Sequence, residues 1–210
     1  RWKRKAKAGL GSLSRLRPGV FRLREEIDVV VVGAGIAGCM AAATVALKGN
    51  GNVSVVLLDR NPPQDVGKKN TLGWVCGDAV GEHHIKYVHD RLGITYGQPE
   101  MENHVTAVYV FSPDMKTRIP FEGPGFVLDR PKFGRRLLQD ALNAGVDYVG
   151  NAQATGLIAE GDQVVGLEGQ VTENGETKPF RIKSKLIIDT SGMSTKLRRN
   201  LPIPSYIEKE

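Results

Sequence analysis

Three glycines, Gly33, Gly35 and Gly38, stand in the run GAGIAG directly after four consecutive valines. This G-x-G-x-x-G spacing suits a strand-to-helix turn laid against a pyrophosphate. The first glycine permits the tight turn, the second lets the backbone approach the phosphates, and the third lets the helix pack on the strand. Asp59 follows 21 residues after Gly38, where a carboxylate can accept hydrogen bonds from both hydroxyls of an adenosine ribose. Its charge disfavours a 2′-phosphate, so FAD or NAD is expected rather than NADP. Other residues with chemical potential are Cys76, Arg130, Asp189 and the histidines His83, His84 and His89. No Cys/His cluster has zinc-ligand spacing, and no metal site is expected.

These residues need elements to position them. Asp28–Val32 is a nearly unbroken apolar run, as in a buried parallel strand. A helix is expected over about Ile36–Lys48, ended by Gly49-Asn50-Gly51-Asn52, and a second strand over Val53–Leu58 with Asp59 at its end. A plain NAD domain would turn next to a third strand–helix unit. This chain instead enters a glycine-rich loop, NPPQDVGKKNTLGWVCGDAVGEHH. A helix over roughly Val80–Leu92 follows, then a hairpin of Val105–Ser112 and Lys116–Phe121 turning at Ser112-Pro113-Asp114. An amphipathic helix begins near Arg130. Ala154–Ala159, Gln163–Val171 and Thr177–Lys183 form a meander, and Lys185–Ile188 is a last buried strand ending in Asp189-Thr190-Ser191-Gly192.

The uncharged run Val29–Leu47 is long enough to imitate a membrane span with a basic flank. Its change from β-branched valines to glycines and alanines, and the acid placed downstream, favour the strand–turn–helix reading instead.

Composition narrows the function classes. The chain has 210 residues, 40% hydrophobic and 25% charged, which supports one ordinary folded domain with a core. Residues 1–26 carry nine Lys/Arg and two Glu, a balance of +7, whereas residues 27–210 carry twenty basic and twenty-one acidic residues, a balance of −1. The net charge of +6 therefore belongs to a basic arm rather than to a folded face, which argues against a nucleic-acid partner. Leu10, Leu13 and Leu16 among arginines suit peripheral contact with an anionic membrane; a passive extension is the alternative. Two cysteines, Cys39 and Cys76, make no disulfide framework, and a reducing cytoplasmic setting is expected.

The segments DVVVVGAGIAG, LLDR, VCGDAV, VFSPD, GFVLDRPKF and IIDTSGMSTKLRRNLP occur in this order over Ile27–Pro202. In them the chain resembles the geranylgeranyl reductase family, FAD enzymes with the p-hydroxybenzoate hydroxylase fold, and especially the archaeal enzymes that saturate ether-lipid chains. The resemblance implies an α/β protein: a Rossmann-like FAD-binding domain over 27–200, with a β-meander and an inserted β-hairpin (101–125) belonging to a substrate domain. Residues 1–26 would be the basic arm and 201–210 the start of that substrate domain. Family members continue for about as many residues again, so the chain is expected to be an N-terminal fragment, inactive alone.

The resemblance also implies roles. Gly33, Gly35, Ala37 and Gly38 would meet the pyrophosphate, Asp59 with Arg60 the adenosine ribose, and Ala154 the adenine. Cys76, Gly77 and Ala79 would lie by the flavin, with Arg130 reaching flavin or pyrophosphate oxygens and Asp189 beside the cofactor. Cys76 is the one catalytic candidate, steering the alkene or relaying a proton. The plainer alternatives make Cys76 a packing residue, Arg130 an exposed helix-start residue and Asp189 a turn cap. The implied reaction is hydride transfer from reduced flavin to a double bond of an isoprenoid lipid, with NAD(P)H or ferredoxin as electron donor. Rival readings are an aromatic monooxygenase of the same fold, a non-catalytic nucleotide-binding module, and a membrane-anchored protein.

Overall fold

The computed structural model describes residues 26–68, 77–192 and 196–202. Strand β1 (Glu26–Val32) leads through the glycine turn into helix α1 (Ile36–Gly49) and strand β2 (Val55–Leu58). A short 3-10 turn, Pro63–Asp65, follows. Strand β3 (Ala79–Gly81) and helix α2 (Glu82–Leu92) precede the long hairpin strands β4 (Met101–Phe111) and β5 (Arg118–Leu128). Helix α3 (Arg130–Asn143), strand β6 (Asp147–Val149) and the meander β7 (Ala152–Glu160), β8 (Gln163–Glu173) and β9 (Glu176–Asp189) complete the order, with a last turn α4 (Lys196–Arg199).

Six strands form one sheet in the order β6-β2-β1-β9-β8-β7, and β3, β5 and β4 form a second. In the first sheet β6, β2, β1 and the end of β9 run parallel. The sheet is buried on both faces, and β1 shows why it reads as an unbroken apolar run. Val29 and Val31 point into a core with Leu137 and Ala141 of α3 and Ala42 of α1, while Val30 and Val32 point into a second core with Leu167, Phe180 and Ile182 of the meander. The uncharged run Val29–Leu47 is thus divided between strand, turn and helix. Among the described residues no helix is long and apolar enough to cross a membrane.

Three elements depart from the sequence expectation. First, Lys185–Ile188 is not separate from the meander. Strand β9 is continuous, pairing antiparallel with β8 up to Lys183 and parallel with β1 from Lys183 onward. The Lys183-Ser184-Lys185 stretch stays extended through its sheet pairing, and buried Ser184 satisfies its hydroxyl by donating to the Leu186 carbonyl at 2.9 Å. Second, Val80 and Gly81 are not helical. Both pair with β5, and Gly81, extended at φ −70° and ψ 141°, delays α2 to Glu82. Third, β6 was not expected; three residues after Gly145 are too few to show a period.

Candidate functional site

The parallel strands end beside a cleft of about 440 Å³. Its floor is the glycine turn, its sides are Asp59–Asn61 and Thr190–Gly192, and its outer wall is Asp65–Lys68 with Arg130 and Gly134 of α3. The turn is built by close backbone approach. Gly33 has φ +102°, and a Cβ there would stand 2.5 Å from the Thr190 carbonyl oxygen. A Cβ on Gly38 would collide with the Gly33 carbonyl and come within 2.6 Å of the Thr190 hydroxyl. Thr190 closes the turn by donating that hydroxyl to the carbonyls of Val32 (2.7 Å) and Gly33 (2.9 Å).

Gly35 differs from both. Its own chain neighbours aside, no atom lies within 4 Å of where its Cβ would be, so the cleft reaches its backbone. Helix α1 starts there with no side-chain cap and no acid in its first turn, and Ile36 and Ala37 are exposed. Its first amides and the positive end of its dipole are therefore available to an anion. Behind the turn Cys39 is buried, its thiol 3.5 Å from the Ala34 carbonyl oxygen, and burial pushes its pKa up to about 12.

Asp59 does more than the spacing argument asks of it. One carboxylate oxygen accepts from the Ala34 amide at 2.6 Å and the other from the Asn61 amide at 2.7 Å. The side chain thus fixes the glycine turn as well as facing the cleft, and each oxygen keeps lone-pair capacity for a further donor. The backbone of Asp59 continues the register: its amide donates to the Val149 carbonyl and its carbonyl accepts from the Ala152 amide. A smaller cavity of about 130 Å³ opens from Asp59 and Arg60 toward Ala152, Gln153 and Ala154. Asp59, Arg60 and Ala154 are therefore brought together beside the glycine turn.

Arg130 opens α3 and is mostly buried, with its side chain 13% exposed. Its Nε lies 3.6 Å from the Asp78 carboxylate. Asp78 has φ +55°, and its carbonyl accepts from the Leu128 amide at 2.7 Å. Gly77 and Ala79 are exposed on either side of it, so this loop is joined to Arg130 and thereby to the cleft. Cys76 lies outside the described residues. Asp189 accepts from the Ser191 amide at 2.9 Å and lines a different cavity, with Leu157, Leu186 and Leu197, on the meander side. Its geometry is that of a turn cap.

Sequence reasoning missed two features. Asp78 as the partner of Arg130 lay inside the recognised loop and could have been found by asking which acid faces an arginine. Gly67 and Gly134 meet at the cleft's outer wall, and no local pattern announces a contact between residues so far apart. The histidines stand apart from the cleft. The rings of His83 and His84 lie tilted against each other with centroids 3.8 Å apart, His89 is 3.1 Å from the Thr95 hydroxyl, and His104 is 3.7 Å from Glu82. Among the described residues no group of three or more His, Cys, Asp or Glu could hold a metal ion.

Cleft and side cavity together suit a dinucleotide: uncapped helix amides for phosphates, a carboxylate beside them, and a small recess beyond it. Comparison with known proteins agrees. The family model described as lycopene cyclase protein matches residues 28–203. A digeranylgeranylglycerophospholipid reductase of Methanococcoides burtonii is 34% identical over 89% of this chain and 44% of its own. One from Sulfolobus acidocaldarius is 32% identical over 83% of this chain and 36% of its own. The chain thus spans less than half the length of these curated relatives. Among solved structures, a geranylgeranyl bacteriochlorophyll reductase-like protein from Thermoplasma acidophilum matches at a TM-score of 0.68 and 25% identity, over 88% of this chain and 44% of its own. A myxobacterial FAD-dependent chondrochloren halogenase matches at 0.67 and 20% identity, over 84% and 40%, a likeness of fold alone. By family match and by architecture, the chain belongs to the lycopene cyclase protein family and has the FAD-binding, Rossmann-like fold of its geranylgeranyl reductase-like neighbour.

Proposed function

We propose that the protein of which this chain is part is an FAD-dependent reductase of carbon–carbon double bonds in the isoprenoid chains of membrane-lipid precursors. The observation that carries this reading is the similarity to digeranylgeranylglycerophospholipid reductases, 32% identical over 83% of the chain in one case and 34% over 89% in another. The substrate would be an isoprenoid lipid, with NAD(P)H or ferredoxin as electron donor.

Each described residue then has a task that its geometry permits, and Cys76 keeps the one the resemblance implies. The amides at the start of α1, reached through Gly35 and flanked by Gly33, Ala37 and Gly38, bind the pyrophosphate. Asp59 accepts the ribose hydroxyls while its bonds to Ala34 and Asn61 hold it still, and Arg60 borders the same recess. The backbone at Gln153 and Ala154 receives the adenine. Arg130, held by Asp78, brings positive charge to the flavin side, where Gly77 and Ala79 offer exposed backbone. Cys76 is the candidate to contact the alkene. FAD, when bound and reduced, would supply a hydride from N5 to one alkene carbon, and a proton from an acid would go to the other. An isolated alkene has no carbonyl to polarise it, so the chain's contribution is orientation at near-attack distance and exclusion of water.

The test is the absorption spectrum of the whole protein together with analysis of chain saturation in lipid extracts incubated with it and a supplied reductant, either NAD(P)H or reduced ferredoxin. A yellow protein that saturates geranylgeranyl chains is expected. A colourless protein, or a yellow one that halogenates or hydroxylates aromatic rings and leaves alkenes intact, overturns the reading.

A further inference from the structure

At the outer wall of the cleft two stretches of backbone touch with no side chain between them. Gly67, in the segment after the 3-10 turn, has φ +84°, and a Cβ there would stand 2.9 Å from both the Arg130 carbonyl oxygen and the Gly134 Cα. The reciprocal substitution is worse: a Cβ on Gly134 would collide with the Gly67 Cα, stand 3.0 Å from its nitrogen, and lie 3.4 Å from the Val66 carbonyl carbon. None of these atoms belongs to a flexible side chain, so an added methyl can be accommodated only by parting the two segments.

The segments concerned both face the cleft. Asp65, Val66, Gly67 and Lys68 form one part of its wall, and Arg130 and Gly134 the other. Gly134 lies one helical turn after Arg130, so its Cα and the base of the Arg130 side chain move together. Val66 and Phe133, beside the two glycines, are buried in the core shared with α1, which leaves little freedom to tilt α3 elsewhere.

We propose that the Gly67–Gly134 contact is a positioning device that seats the first turn of α3, and so sets the place of the Arg130 guanidinium in the dinucleotide cleft. Both glycines are positioning residues and act on the ligand through Arg130. The inference rests on the FAD reading above.

The experiment is a double-mutant cycle in the whole protein, reading FAD dissociation constants by flavin fluorescence. Gly134→Ala should weaken FAD at least tenfold and Arg130→Gln likewise. The double variant should bind no more weakly than Arg130→Gln alone, because nothing is left to misplace. Gly93→Ala is the control for the positive-φ position Gly67: Gly93 has φ +71° but, its own chain neighbours aside, no atom within 4 Å of its Cβ position, so the strain of a left-handed alanine is reproduced without the contact and FAD affinity should be unchanged. Additive losses in the cycle, or unchanged affinity in Gly134→Ala, overturn the proposal. If Gly134→Ala fails to fold, the cycle is run with Gly67→Ala. Loss of the fold in both variants would make the pair a folding determinant and overturn it too. A wild-type protein that binds no FAD would instead sink the functional reading itself.

Discussion

Asp59 sits where two demands meet. The glycine turn needs an acceptor for the Ala34 amide, and an adenosine ribose needs an acceptor for its hydroxyls; one carboxylate can serve both. Asp59→Ala removes both, leaving partners unsatisfied at a cost of about 1–3 kcal/mol, or roughly 5- to 150-fold in affinity. FAD titration of the whole protein should show a loss in that range, and equal affinity would remove the ribose role. Cys39, four residues into α1, has the opposite character. Burial pushes its thiol up to about 12, so almost none is thiolate at neutral pH. In a Cys76→Ser background Cys39, followed by peptide mapping, should resist a disulfide exchange reagent at pH 8 in the native protein and react promptly in denaturant. Rapid labelling of the native form would show the turn to be open to solvent.

At the scale of elements, the proposed function has the glycine turn separate packing from binding within a few residues. Gly38→Ala forces a methyl against the Gly33 carbonyl, and overpacking of this kind costs typically about 1–3 kcal/mol. Gly35→Ala meets nothing, and Gly35 has an ordinary φ of −72°, so the fold should keep its stability while FAD affinity falls. Thermal unfolding and FAD titration of the two variants should therefore diverge, and parallel losses would contradict the division. At the opposite end of the sheet Asp28 ties three strands. Its carboxylate accepts from the Ser54 amide (2.9 Å) and hydroxyl (2.7 Å) and from the Lys185 ammonium (2.6 Å), bonds that hold its pKa well below the usual carboxylate range. A depressed folded-state pKa contributes stability that is complete above the unfolded value, about 3.9, and is lost as pH falls toward the folded one. Urea midpoints of wild type and Asp28→Asn should differ at pH 7, and the gap should begin to narrow only as pH falls through about 4 and go on narrowing toward the folded-state value. The unit β1-α1-β2 was legible beforehand because glycine spacing, valine runs and alanines agree on one answer. The continuity of β9 was not, since a Lys-Ser-Lys stretch looks like a break until its sheet pairing forms. Nor was β3, where Val80 and Gly81 belong to a sheet pairing formed with residues far downstream.

At the scale of the whole molecule, charge and apolar surface are separated along the chain. All nine basic residues of the first 26 lie in residues 1–24, while the remainder is nearly neutral. The folded part has its own apolar surface: Val108, Tyr109, Val110 and Phe111 of β4, with Ile119 and Phe121 of β5, are each about half exposed on the hairpin. Pro120 stands in the part of β5 that has a single partner strand, where a missing amide costs no ladder bond on that side. If the substrate is a membrane lipid, either feature could hold the protein at the bilayer, and they respond differently to salt. Attraction of Lys and Arg to anionic headgroups is worth about 1 kcal/mol per residue near the surface and falls as the Debye length shrinks. Apolar insertion of a hairpin is not weakened by salt and does not require anionic lipid. Deleting residues 1–24 should lower binding to vesicles containing anionic lipid at least tenfold, 0.5 M salt should do the same to the intact protein, and neutral vesicles should bind either form equally weakly. Binding that survives both the deletion and the salt would place the contact on the hairpin or another apolar face and leave the arm a passive extension.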